Sequence, residues 1–178
     1  MLSLLSFLFT TISSFAWAII VPGADSPSFY LIAVSTGTSS VRPAILSSGG
    51  GYASLQGSGF PIQSYFFQGQ LKAALDRSGE PSHRPYVDTG FTDTGSCATY
   101  GRLGYLEGSS TSTNKCASYS SFQIQSNPEN SQLGARLTFN SVGGFYSCGA
   151  EEEIWYKVNE GDGPTSCYPV QLYTVPVV

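Results

Sequence analysis

The chain has 178 residues and a net charge of −4, and only 11% of its residues are charged against about 25% in an average soluble protein. Its eight lysines and arginines form no basic cluster, which argues against nucleic acid and an anionic membrane surface as partners. With 20 glycines, 11 tyrosines and 11 phenylalanines, the composition is that of a stable extracellular β-protein with a hydroxyl-rich face.

The chain opens on an apolar run, Met1 to Phe9, that leads to Ala16-Trp17-Ala18. An apolar core followed by a small-x-small site reads as a secretory signal peptide over residues 1–18, cut after Ala18. A membrane anchor is the rival reading. The run is too short and too rich in Ser and Thr to cross about 30 Å of hydrocarbon. The final "QLYTVPVV" is likewise too short for the tail of a lipid-anchor signal. Residues 19–178 are therefore expected to form a single secreted β-domain, and roughly 160 residues suffice to bury one core.

Short apolar, aromatic or β-branched runs follow, separated by Gly, Ser, Pro and Asn. Strands are expected at 28–35, 41–46, 52–56 and 60–67, then at 84–88, 98–107 and 119–126. The last ones fall at 135–139, 144–148, 152–158 and 167–175. Such spacing predicts an all-β fold, a single compact β-sandwich or a trefoil-like barrel. "QLKAALDR" (70–77) carries Leu71, Ala74 and Leu75 on one helical face, but its shortness favours a strand or a single turn. A weak echo joins Phe60-Pro61-Ile62-Gln63-Ser64 to Phe122-Gln123-Ile124-Gln125-Ser126. Either an ancient duplication or coincidence in a Ser/Gln-rich chain accounts for it.

Four cysteines follow the signal region: Cys97, Cys116, Cys148 and Cys167. An even number in an exported chain implies disulfides, with three possible connectivities. Short loops close most easily, so Cys97–Cys116 and Cys148–Cys167 are the expected bridges. A zinc site would need a second histidine or a Cys-x-x-Cys pair. The chain has only His83, and no metal or other cofactor is expected.

Asp-Thr-Gly, the signature of aspartic proteases, occurs at Asp88-Thr89-Gly90 and again at Asp93-Thr94-Gly95. A pepsin-like enzyme needs two aspartates that meet across two lobes and share a proton. Five residues apart, these two are too close to belong to separate lobes. Asp and Thr oxygens bond nearby backbone N–H groups and Gly takes positive φ, so both motifs read as turns. His83, in the Pro-flanked "GEPSHRPY", reads as a surface residue rather than a general base, and no G-x-S-x-G occurs. Glu151, Glu152 and Glu153 could supply the carboxyl pair of a glycoside hydrolase, but adjacent strand residues face opposite ways, so at most Glu151 and Glu153 share a face, and the triplet reads as a solvated strand entry. With Asp162, Glu151 and Glu153 also lack the loop pattern of a calcium site. No catalysis is expected.

The aromatics hold more interest. A row of exposed rings can stack on flat partners such as sugars. Trp155, Tyr156, Tyr105 and Tyr146 are the candidate stacking residues, and adjacent Trp155 and Tyr156 should point to opposite faces.

"PYVDTG" followed by "GRLGYLEG" resembles the core motif of the fungal phialide cell wall protein (PhiA) family. "LDRSG" (75–79) offers a second match to its Asp-Arg-Ser-Gly element. "FYSCGAEEEIWYKV", the later "SCYPVQLYTV" and the opening "FYLIAV" are similar to further segments of that family, in the same order. Cys97 and Cys116 have no clear counterparts there. The resemblance implies an exported, wall-associated protein without known catalysis. The expected function is thus that of a secreted structural or interaction protein of the fungal cell wall or extracellular fluid, with wall polysaccharide or extracellular proteins as partners. The alternatives are a carbohydrate-binding module and a secreted effector or inhibitor acting on a host protein.

Overall fold

The computed structural model describes residues 25–37, 40–46, 51–74, 83–127 and 133–177. The predicted signal peptide and residues 75–77 of the helix candidate lie outside them. The described residues contain strands and turns and no helix.

The first strands are β1 (Phe29–Ser35), β2 (Val41–Pro43), β3 (Ile45–Leu46), β4 (Gly51–Tyr52), β5 (Phe60–Pro61), β6 (Gln63–Phe67) and β7 (Gln70–Ala74). Two long strands follow, β8 (His83–Phe91) and β9 (Cys97–Glu107), then β10 (Ala117–Ser118), β11 (Phe122–Gln125) and β12 (Arg136–Phe139). The chain finishes with β13 (Gly144–Cys148), β14 (Glu153–Lys157) and β15 (Cys167–Pro176). The part of "QLKAALDR" that is described is strand β7, as its shortness implied.

Eight of these close an antiparallel barrel. Round the ring they run β1, β6, β7, β8, β9, β14, β13 and β15, and β15 returns to β1 from Phe29↔Pro176 to Ser35↔Val170. Closure leaves the ring itself without an edge. Strands β12 and β11 extend outward from the distal half of β15, and β10 and β4 lie along β8 and β9. The all-β fold expected is formed, as an eight-stranded barrel rather than a sandwich. The sequence echo does not mark equivalent positions, since Phe60 is exposed on β5 while Phe122 is buried on β11.

Alternation drives the closure. Phe29, Leu31 and Ala33 of β1 point inward with Val87 of β8, Leu103 and Tyr105 of β9, Ile154 and Tyr156 of β14, and Leu172 of β15. Each large apolar side chain so buried contributes roughly 1.5–3 kcal/mol, and an eight-stranded ring is just wide enough for such side chains to fill. Two disulfides reinforce it, Cys97–Cys116 and Cys148–Cys167, the pairing expected from loop length. The second joins directly opposed residues of β13 and β15, both members of the ring.

The two Asp-Thr-Gly motifs part company here. Asp93-Thr94 forms the β8–β9 turn, closed by Gly95 at φ +78° with its N–H bonded to Thr92 O at 2.8 Å. Asp88-Thr89-Gly90 is not a turn but the distal part of β8, with a register irregularity between Thr89 and Phe91. Pairing on both edges, with β9 and β10, overrides the local preference for a turn. Gly101 allows the approach: a Cβ there would lie 2.5 Å from Asp88 O. His83 also departs from expectation. It is 9% exposed at the start of β8, opposite the buried Ala73, because alternation turns it inward.

Candidate functional site

Four strands of the ring present one aligned row on the outer surface. Asp88 of β8 stands opposite Arg102 of β9, Arg102 opposite Trp155 of β14, and Trp155 opposite Tyr146 of β13. Their inward neighbours Val87, Leu103, Ile154 and Phe145 belong to the core, so alternation forces the row outward. At an inter-strand spacing of about 4.8 Å the row is roughly 14 Å long.

Asp88 anchors its polar end. Its carboxylate accepts Tyr52 Oη–H at 2.6 Å and Asn114 Nδ2–H at 2.9 Å. Asn114 also donates to Thr89 O at 2.6 Å and accepts from Cys116 N–H at 2.9 Å, so the Cys97–Cys116 loop sets its orientation. Burial, then the hydrogen bond to Asp88, raises the Tyr52 phenol above its ordinary pKa.

Arg102 ties the row together. Its guanidinium lies 3.6 Å from the Tyr52 ring centroid and 5.7 Å from that of Trp155, with Nη1 3.4 Å from Glu153 Oε1. Tyr52 and Tyr86 flank Gly104, and Tyr86 lies so close over it that a Cβ would meet Cε1 at 2.5 Å. Tyr86 stacks on Tyr119 at 5.5 Å, and Arg84 covers Tyr119 at 4.1 Å. Burial, reinforced by the charge of Asp88, pushes the Tyr86 phenol strongly upward.

At the other end, Tyr100 packs against Trp155 at 6.3 Å. Lys157, 1% exposed, holds the following loop by donating to Pro164 O at 2.6 Å, and its Nζ lies 5.2 Å from the Tyr146 centroid. Asp162 accepts from Thr99 Oγ1 at 2.7 Å and from Asn159, which lowers its pKa.

A second polar cluster sits at one mouth of the barrel. Arg42 forms an ion pair with Glu152, its Nη2 lying 3.2 Å from Glu152 Oε1 and 2.7 Å from Tyr168 Oη. Tyr168 in turn donates to Glu152 Oε1 at 3.2 Å. Glu152 takes φ +50° in the β13–β14 turn. A cavity of about 480 Å³ opens beside Arg42 and Tyr168, walled by Ser35, Thr36, Gly37 and Ser40.

Of the four candidate stacking residues, Trp155 and Tyr146 are brought together as a half-buried, outward cross-strand pair. Tyr105 and Tyr156 are 1% and 3% exposed and offer no face to a ligand. Tyr156 meets Phe139 edge-on at 4.8 Å and donates to Val142 O at 3.0 Å. Nor do the three glutamates form one solvated entry: Glu151 is exposed, Glu152 binds Arg42 and Glu153 approaches Arg102. Sequence reasoning missed Tyr52, Asp88 as a hub, Arg102 and the Arg42–Glu152–Tyr168 cluster. Arg102, a cation between Gly101 and the Leu103-Gly104 pair in the middle of a long strand, was the one signal available. Among the described residues, no group of three or more His, Cys, Asp or Glu side chains is arranged to hold a metal.

Comparison of this chain with family models, curated proteins and solved structures finds no match.

Proposed function

We propose that this chain is an exported protein of the fungal wall or its surroundings that binds neutral polysaccharide, without catalysis, through the outer face of its barrel. The observation that carries the reading is the Asp88–Arg102–Trp155–Tyr146 row, flanked by Tyr52 and Tyr100. Aromatic faces beside fixed carboxylate, guanidinium and hydroxyl groups suit a flat, polyhydroxylated chain, which offers an apolar ring face and many donors and acceptors. The row stands on paired strands rather than on a loop, so little ordering entropy opposes binding. Its flanks are held by both disulfides, which are themselves compatible with an extracellular location. The resemblance of several segments to the phialide wall proteins supports the wall as the place of action.

Sedimentation with insoluble chitin, β-glucan and cellulose tests the proposal. Retention by at least one of them, weakened by Trp155→Ala and by Tyr146→Ala, is expected. If the protein stays in the supernatant with all three, direct polysaccharide binding is wrong and wall residence would have to come from protein partners.

A further inference from the structure

Cations are few in this chain. Arg42 and Arg102 meet Glu152 and Glu153, and Lys157 is capped by backbone carbonyls. Among the described residues Lys72, Arg84, Lys115 and Arg136 meet no carboxylate: Lys72 Nζ is bonded to Gln70 Oε1 at 3.1 Å, Arg136 donates to Gln125, and Arg84 lies on the Tyr119 ring.

The register sets two of these, Lys72 and Arg84, side by side. Ala73 of β7 pairs with His83 of β8, so the next outward positions, Lys72 and Arg84, are neighbours across the two strands. Like charges directly opposite each other destabilise a sheet, and no carboxylate among the described residues neutralises the pair. Tyr65, opposite Lys72 on β6, continues the row, and Phe67 beyond it is 49% exposed. These four residues, with His83 and Gly108, line a cleft of about 470 Å³. That is within the size range of small-molecule sites. Gly108 takes φ +58° and carries no side chain to obstruct the opening.

We infer that this cleft is a binding site for an acidic saccharide of the uronate type, its carboxylate held between Lys72 and Arg84 and its ring lying against Tyr65 and Phe67. Tyr119 occupies the planar face of Arg84, which leaves the N–H edge for an in-plane acceptor, the geometry in which guanidinium binds carboxylate best. Lys72 supplies the second, more mobile donor. A bare inorganic anion would satisfy the charges but leave most of the cleft and both aromatic rings unused. The site does not depend on the outer row containing Trp155, and its signature is opposite: binding here falls with salt, because exposed charges are screened beyond about 8–10 Å at physiological ionic strength.

The test is titration of the isotopically labelled protein with an oligogalacturonate, its methyl ester and inorganic sulfate, followed by amide NMR. The acidic oligomer should shift Phe67, Lys72 and Gly108 amides saturably, with affinity falling as salt rises. The ester, which keeps the ring and loses the charge, should shift them little. Lys72→Gln and Arg84→Gln should each weaken the acidic oligomer roughly tenfold. Equal binding of the ester, or unchanged affinity in both variants, would overturn the inference. Sulfate binding as tightly as the oligomer would reduce the site to an anion site and reject the saccharide. Because the wild-type shifts locate the site directly, a variant that fails to fold does not decide the outcome.

Discussion

Tyr52 donates a 2.6 Å hydrogen bond to Asp88 across the width of β9, joining the short β4 to β8 on the outside of the barrel. The carboxylate that a motif search would nominate as a protease nucleophile activator is a fixed acceptor for Tyr52 and Asn114 on the outer face proposed to bind polysaccharide. Tyr52→Phe should cost about 1.5–3 kcal/mol, the range for a hydrogen bond to a charged group. Asp88→Ala should cost more, since it also strands Asn114. Urea unfolding of the two variants measures both. A purified protein that cleaves denatured casein at acid pH and loses this with Asp88→Asn would contradict the assignment.

Trp155 and Tyr156 should separate binding from stability. Tyr156 is buried against Phe139 and Phe145, and Tyr156→Ala should destabilise the fold by about 3–5 kcal/mol, as large-to-small core changes do. Trp155→Ala should cost markedly less and should weaken polysaccharide retention in its folded state. Thermal unfolding and sedimentation, run on both variants, make the comparison.

Alternation and turn residues made the strands legible, and two equal loops made the disulfide pairing legible. Closure was not, because it depends on pairing β1 with β15 from opposite ends of the described chain, which no local pattern encodes. The site was half legible for the same reason. That Trp155 and Tyr156 face opposite ways follows from the period of a strand. Which one faces out depends on Ile154 and Phe145 joining the core. Tyr105 illustrates the failure: it shares the parity of Leu103 and turns inward, while Arg102, one residue before Leu103, turns out. Asp88 was misread because ladder pairing on both edges outweighs its own turn preference.

The two disulfides close loops of the same length, a separation of 19 residues in each case, and the entropic contribution of each should be about 3 kcal/mol. Position then decides between them. Cys148–Cys167 joins two ring strands, whereas Cys97–Cys116 ties β9 to a segment outside the ring. Replacing Cys148 and Cys167 by alanines should lower the unfolding midpoint more than replacing Cys97 and Cys116. Equal losses would show that ring membership is immaterial.

Titration should weaken the fold at both pH extremes. Tyr86 has its pKa raised from 10.0 by burial and Asp88, so the neutral phenol is favoured in the fold. Its contribution is complete below about pH 10 and is lost as pH rises towards the folded-state value. Asp162 has its pKa lowered from 3.8 by Thr99 and Asn159, and its contribution is present above that value and lost as pH falls through the lowered one. Tyr86→Phe should flatten the alkaline limb of a stability–pH profile, and Asp162→Asn the acid limb.

The most direct measurement of the central claim uses the row's own reporter. The sequence has two tryptophans, Trp17 within the predicted signal peptide and Trp155, so a protein beginning at Ile19 carries its indole only on the outer face. Its emission should be followed during titration with cello-, laminari- and chito-oligosaccharides at low and high salt. Binding at the row predicts a saturable change with at least one series, little altered by salt and weakened in Tyr146→Ala. Emission that stays constant throughout all three titrations would contradict it.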